Sequence, residues 1–241
     1  MSAILDVRNL VAGYEPGLNI VRDCSIHAKE QEIVVILGPN GAGKSSLIKA
    51  IAGLVPVSGG QVLLDGQDIT DTPAHLMVRR GLAFVPQTDN IFPQLTVAEN
   101  LRVAGGVLPR IEVAPRIDEM FAMFPDLARQ QRLPAGSLSG GQRQMLAVAR
   151  ALIVRPRVLM LDEPSAGLSP RFVEMVFARL HEIRSTGLTI VLVEQNAKAA
   201  LGIGDRAYVL VEGHEAHEGP AATLWDDPVI AELYLGHRRA S

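Results

Sequence analysis

The sequence predicts an α/β protein: a mainly parallel sheet with helices on both faces, an antiparallel β part at the N-terminus and a helical subdomain inserted in the middle. Three observations predict it. Short apolar runs such as Ile33–Leu37 and Thr189–Val193 alternate with stretches of helical spacing, the pattern of strands buried on both faces and joined by crossover helices. The string Gly38-Pro39-Asn40-Gly41-Ala42-Gly43-Lys44-Ser45-Ser46 separates one such strand from one such helix. Between about residues 88 and 157 the alternation gives way to consecutive helical signals. One domain, 1–241, accounts for the chain, and its 48% hydrophobic and 20% charged residues are those of an ordinary globular protein able to bury a large core.

In chain order, Ile4, Val7, Leu10, Ile20, Cys24 and Ile26 alternate weakly around Gly13 and Pro16-Gly17, predicting two strands joined by a turn before about residue 32. Ile33–Leu37 predicts a buried strand, and Leu47, Ile48 and Ile51 share one face of a helix from Lys44 to about Leu54. Ser58-Gly59-Gly60 reads as the end of that unit. Short strands at 62–64 and 82–85 flank Thr72-Pro73, whose proline suits the first turn of a small helix, and Gln87 opens a loop. Inside the insertion, Thr96-Val97-Ala98-Glu99 has capping-box spacing, while Ile117, Met120, Phe121 and Phe124 recur at helical intervals. A helix from Gly140 or Gly141 to about Val154 precedes a strand at 158–161 that ends in Asp162-Glu163. Ser169-Pro170 starts a helix to about Ser185 carrying Phe172, Met175, Val176, Leu180 and Ile183, and the strand Thr189–Val193 follows. The last part, about 207–236, predicts a hairpin-like piece over 207–218 and a helix after Asp227-Pro228 ending near Gly236.

Composition narrows the function classes. A net charge of −3 gives no reason to expect nucleic acid or an anionic membrane surface as a partner. Cys24 is the only cysteine, which excludes an internal disulfide and a multi-cysteine metal site and fits a reducing compartment. Residues 1–6 lack a basic n-region and a long apolar h-region, so no secretory signal is expected. No window reaches the roughly 18 to 20 apolar residues of a membrane-spanning helix, so membrane work would need other subunits to do the spanning.

The string at 38–46 carries the spacing G-x-x-x-x-G-K-[ST]. Glycines let successive backbone N–H groups turn inward around a polyphosphate; Lys44 neutralises charge, and the Ser45 hydroxyl is placed for Mg²⁺. The following helix adds its N-terminal dipole, so the chain is expected to bind a nucleoside triphosphate on a P-loop NTPase core. Asp162-Glu163, at the C-terminal edge of an apolar strand, puts two carboxylates where ligands bind in open α/β sheets: Asp162 to hold Mg²⁺, Glu163 to orient or deprotonate water, or both simply to end a strand. Leu138-Ser139-Gly140-Gly141-Gln142 is a helix start with Ser139 as N-cap, and such a start is also an anion site. Six arginines and no acid lie between Arg129 and Arg157, with Arg143 and Arg150 two helical turns apart: a solvated face, or a surface that approaches a polyphosphate held elsewhere. His214 and His217, beside Glu215 and Glu218, read as surface residues of a hairpin rather than a metal site.

Taken in this order, the motifs resemble the nucleotide-binding subunit of an ATP-binding cassette (ABC) transporter, from about Ile4 to at least Gly213. Residues 38–45 resemble the Walker A loop, Gln87 the Q-loop glutamine, Leu138 to Gln142 the family signature, residues 158–162 Walker B, and Glu163 the catalytic glutamate. Tyr14 resembles the aromatic that stacks on adenine, or serves as a turn aromatic. The resemblance implies ATP with Mg²⁺ as cofactors, with Ser45, Gln87 and Asp162 around the metal. It implies Glu163, Gln87 and Gln195 at the catalytic centre. It also implies two subunits sandwiching two ATPs, each between one subunit's residues 38–46 and the other's Ser139, Gly140, Gly141 and Gln142. Two positions depart from the family: Gln195 stands where a switch histidine is usual, and Ser169 where a D-loop aspartate is usual. Val193-Glu194-Gln195-Asn196 and Tyr234-Leu235-Gly236 resemble one of two non-identical ATPase subunits of branched-chain amino acid importers; urea and short-chain amide importers have similar subunits, and soluble ABC ATPases are a rival class. The implied partners are a second, non-identical ATPase subunit (a homodimer in isolation), transmembrane permease subunits and, indirectly, a solute-binding protein, with no nucleic acid; the implied location is peripheral, at the cytoplasmic face of the cell membrane. Ile91, Phe92, Pro93 and Leu95 are either tucked into the core or a docking patch for the membrane subunits.

Overall fold

A computed structural model describes residues 3–225. The N-terminal alternation builds β1 (Ala3–Ala12) and β2 (Val21–Lys29), followed by β3 (Ile33–Leu37), α1 (Lys44–Ile51), β4 (Val57–Leu64), β5 (Gln67–Asp68), α2 (Ala74–Arg80) and β6 (Leu82–Val85). The insertion supplies α3 (Val97–Ala104), α4 (Arg110–Met123), α5 (Pro125–Arg129) and α6 (Gly140–Leu152). The chain then returns to the sheet with β7 (Val158–Asp162), α7 (Pro170–Arg184), β8 (Thr189–Val193), α8 (Ala197–Leu201), β9 (Arg206–Val211), β10 (His214–Pro220) and α9 (Ala221–Leu224).

Two sheets result. A four-stranded antiparallel sheet has the order β2-β1-β4-β5, and a six-stranded one the order β10-β9-β3-β8-β7-β6, parallel except for β10. Strand β3 shows why its run is apolar throughout. Ile33, Val35 and Leu37 pack into the core beneath α3 to α8, whereas Val34 and Ile36 face the core shared with α1 and the antiparallel sheet. Because β8 lies between β3 and β7, the C-terminal ends of four parallel strands stand side by side. These ends lead into the loop at 38–43, Glu194-Gln195, Glu163 and Gln87, at the edge where open α/β sheets bind ligands.

Three expectations need correction. Ser58-Gly59-Gly60 does not end a unit but runs within β4, where Val11 pairs with Gly59 across a register shift against β1. Gly60 sits at φ 83, and a Cβ there would lie 2.3 Å from the Asn9 carbonyl oxygen; the glycine marks an irregular strand passage, not a terminator. Helix α1 stops at Ile51 rather than near Leu54, which is 52% exposed and so continues no core face. Pro73 occupies the cap position of α2 rather than its first turn. The predicted C-terminal helix and Tyr234-Leu235-Gly236 lie outside the described residues.

Candidate functional site

The loop between β3 and α1 is shaped by close backbone approach. Gly38 has φ 148, and a Cβ would stand 2.3 Å from the Leu210 carbonyl oxygen, so no side chain fits where the loop crosses β9. Helix α1 begins after Gly43 with no side-chain cap and no acid of its own in its first turn. Lys44 is only 5% exposed; its Nζ donates to the carbonyls of Gly38 at 2.9 Å and Pro39 at 3.0 Å. Burial holds this ammonium below its usual range, against the pull of Glu163 and Asp162. The loop forms one wall of a cleft of about 520 Å³, lined by residues 40–46 with Ile20, Gln87, Glu163 and Gln195.

The opposite wall is acidic and amide-lined. Ser45 Oγ donates to Asp162 Oδ1 at 2.8 Å, and burial pushes the Asp162 carboxyl up while the Ser45 bond and the two nearby lysines, Lys49 and Lys44, pull it down. These are hard oxygen donors. Among the described residues no three His, Cys, Asp or Glu side chains cluster as a metal cage. One carboxylate and one hydroxyl suit an ion that takes most of its shell from phosphate oxygens and water, which is the habit of Mg²⁺ rather than of zinc.

Glu163 follows β7 in the left-handed region at φ 47, a conformation costing of order 1–3 kcal/mol for a residue with a Cβ and typical of functional turns. Its backbone is fixed there: the Glu163 N–H donates to Val193 O at 2.9 Å, and its carbonyl accepts from Ala166 N–H at 3.0 Å. Both carboxylate oxygens are occupied. Gln87 Nε2 donates to Oε2 at 2.8 Å, and Gln195 Nε2 donates to Oε1 at 2.9 Å and to Oε2 at 3.0 Å. Gln195 itself rests on Glu194, a carboxylate 1% exposed that accepts from Ser165 N–H (2.9 Å), Ser165 Oγ (2.7 Å) and Gln195 N–H (3.2 Å). Burial raises the Glu194 carboxyl above its ordinary value, with those hydrogen bonds opposing.

One cleft thus collects residues 40–46 with Gln87, Glu163 and Gln195, while Asp162 meets Ser45 just behind; Gly38 and Pro39 serve through their carbonyls. The structure does not bring the remaining sequence candidates into that lining. Tyr14 is 53% exposed at the turn before β2, and Ile20 takes the place nearest the loop instead. Ser139 and Gln142 form a reciprocal capping box at the start of α6, with Ser139 N–H donating to Gln142 Oε1 at 3.0 Å and Gln142 N–H to Ser139 Oγ at 3.3 Å. Four of the six arginines are engaged within the chain: Arg129 pairs with Asp126, Arg155 with Glu119, Arg157 with Glu30 and Asp65, and Arg150 turns inward. For Arg155 and Arg157 the neutralising acids come from distant segments that a local reading does not see. His214 is exposed on the β9–β10 hairpin, as expected for a surface position. Ile20 and the Glu194–Ser165 clamp were not singled out from sequence; an acid directly after the apolar run at 190–193 is the one signal that points to the clamp.

The proteins that this chain resembles are ATP-binding subunits of transporters. The family model described as ABC transporter matches residues 21–166. A probable branched-chain amino acid transport ATP-binding protein, LivF, of Archaeoglobus fulgidus is 47% identical over 94% of this chain and 96% of its own length. The high-affinity branched-chain amino acid transport ATP-binding protein BraG of Pseudomonas aeruginosa is 37% identical over 94% and 97%. The lipopolysaccharide export system ATP-binding protein LptB of Escherichia coli is 32% identical over 97% and 98%. The crystal structure of a nucleotide-free ATP-binding cassette from an ABC transporter superposes with a TM-score of 0.86 at 27% identity, covering 97% of this chain and 99% of that one.

Proposed function

Since this chain belongs to the ABC transporter family, we propose that it is the energy-coupling ATPase of an importer for branched-chain or related hydrophobic amino acids, with Glu163 as the residue that activates water. It binds ATP, hydrolyses it in step with transport, dimerises and works with permease subunits. It is peripheral to the membrane, and among the described residues no helix is long and apolar enough to cross one. Its proposed place is the cytoplasmic face. The importer reading draws on the two branched-chain relatives, both more similar to this chain than the export relative. The single chain is read as one ABC domain with a helical subdomain over about 88–157.

One observation carries the catalytic reading: three side chains from the ends of three parallel strands, Gln87, Glu163 and Gln195, converge by hydrogen bonds opposite the buried Lys44. The loop N–H groups and Lys44 hold the β- and γ-phosphates, and Tyr14 offers an exposed ring for the adenine. Ser45 and Asp162 would hold Mg²⁺, with Gln87 at its edge; the ion supplies charge neutralisation between the phosphates when bound. Glu163 accepts a proton from water as the water oxygen bonds to the γ-phosphorus and the bond to the bridging oxygen breaks. A carboxylate with both oxygens taken up by amides is a poor base, so at least one glutamine must release it first. Gln195 is the better candidate to let go, because the γ-phosphate is a stronger acceptor for its amide.

Ser139, Gly140, Gly141 and Gln142 stand away from this cleft and fit a nucleotide carried by a second cassette. Gln195 and Ser169 favour an unlike second cassette, since a copy of this chain would repeat both departures in both sites. Reconstitution with the permease subunits tests both parts: solute-stimulated ATPase activity and uptake of a branched-chain amino acid should need this chain together with its counterpart. Full activity from this chain alone would refute the heterodimer.

A further inference from the structure

We propose that Arg150 is a positioning residue through which the signature segment at 139–142 sets the loop carrying Gln87, so that the nucleotide on one cassette biases the catalytic centre of the other. The inference rests on the proposed reading of the cleft and adds to it a residue that never touches the cleft lining. Helix α6 starts at the Ser139 cap and places Arg150 three turns on, roughly 16 Å along its axis. There the Arg150 guanidinium donates from Nη1 to the carbonyl of Asn90, and its central carbon stands 4.6 Å from the centroid of the Phe92 ring. One helical turn and a half earlier on the same helix, Gln144 Oε1 accepts from Asn90 Nδ2 at 3.4 Å, and Asn90 Nδ2 also reaches the Pro86 carbonyl at 3.2 Å. The segment 86–92, with Gln87 inside it, is thus gripped by α6 at two points.

The far end of that segment is anchored to a different helix. Asn100 of α3, fully buried, accepts from Phe92 N–H at 2.8 Å and donates to the Phe92 carbonyl at 2.9 Å. The loop is therefore held as a rigid piece rather than left to follow its own preferences.

Arg150 is an expensive way to fill this space. Its Nε is the one buried side-chain nitrogen or oxygen among the described residues with no hydrogen-bond partner, and no carboxylate pairs with its charge. An apolar side chain would pack there without that penalty. What the guanidinium provides is an N–H donor to a backbone carbonyl together with a flat cation that stacks on an aromatic ring, two contacts that fix loop position. A shift of α6 driven at Ser139 is then transmitted to Gln87, and from there to the Glu163 oxygen that Gln87 occupies.

The experiment uses the reconstituted transporter carrying this chain, with MgATP as substrate, and four forms of the chain: parent, Arg150→Met, Gln87→Ala and the double variant. Arg150→Met should lower kcat about tenfold and leave KM for ATP within about twofold, and Arg150→Lys should recover part of the loss. In the Gln87→Ala background the Arg150 effect should shrink below about twofold, because its route is gone. The same fold loss in both backgrounds would overturn the proposal, as would a raised KM with unchanged kcat. If Arg150→Met does not fold, Phe92→Leu removes the stacking face from a half-exposed position and is read by the same cycle. Unchanged turnover in Gln87→Ala itself is a separate outcome: it would remove the cleft reading on which the proposal stands.

Discussion

Lys44→Ala should abolish productive ATP binding. The ammonium is 5% exposed and, among the described residues, the only cation lining the cleft; its desolvation is already reflected in a lowered proton affinity. In the structure it donates to the Gly38 and Pro39 carbonyls at 2.9 and 3.0 Å, both within the loop that must turn its N–H groups toward phosphate. Two losses follow from truncation: the charge facing the phosphates and the clamp on the loop. A charge-assisted hydrogen bond to a desolvated anion is worth roughly 2 to 5 kcal/mol, so the Kd should rise by about 30-fold to about 4,000-fold. Calorimetric titration of the purified chain with MgATP reads this directly, with the thermal midpoint of the ligand-free variant as the control for folding. A variant that folds normally and binds ATP within about threefold of the parent would refute the role given to Lys44.

Other perturbations separate the remaining roles. Ser139→Arg should stop turnover without weakening ATP binding to its own chain, because the added side chain fills the space meant for the second cassette's γ-phosphate; normal turnover in the reconstituted complex would contradict the trans assignment. Gln195→His should introduce a titration of kcat near pH 6 to 7 that the parent lacks, since only the imidazole changes charge there; identical pH profiles would remove Gln195 from the catalytic centre. Glu194, whose carboxyl burial raises above the ordinary 4.5, binds its proton more readily folded than unfolded. Parent stability relative to Glu194→Gln should therefore grow as pH falls from neutrality toward that value and be lost as pH rises, the reverse of a salt-bridged carboxylate. Urea unfolding of both proteins at pH 5 and pH 8 checks the sign, and a pH-independent difference would show that Glu194 is not perturbed. Phe92→Asp, at a ring that is 43% exposed beside the Gln87 loop, should lower the amount of solute moved per ATP hydrolysed; an unchanged ratio would place that surface away from the permease contact.

The parts of this fold legible in the sequence are those governed by local rules. Ile33–Leu37 and Thr189–Val193 read correctly to the residue because strands buried on both faces carry near-continuous β-branched and apolar runs. The capping boxes at Thr96 and Ser139 are written in four consecutive residues each. What failed was non-local. Gly59 and Gly60 look like a terminator until β1 is seen pairing with them, and a two-residue strand such as β5 carries no periodicity to read. The five-residue α8 is held in place by the core at Ala197, Ala200 and Leu201 rather than announced by a repeat. Partners of the arginine run are hidden in the same way, since Glu30, Asp65 and Glu119 lie far from Arg155 and Arg157 in the chain. In the site, the motif spacings located Lys44, Asp162 and Glu163, whereas the Glu194–Ser165 clamp needs two loops brought together by β7 and β8.

Glu163→Gln decides whether this carboxylate is the base that activates water. The amide keeps the size of the side chain and can still meet Gln87 or Gln195, but it cannot take a proton from water. ATP affinity by titration should stay within about threefold of the parent, while phosphate release in the reconstituted transporter falls by about 10² to 10⁴ and the ATP-bound dimer persists on size exclusion. Phosphate release at the parental rate with Glu163→Gln in place would contradict the account, because the base would then lie elsewhere in the cleft.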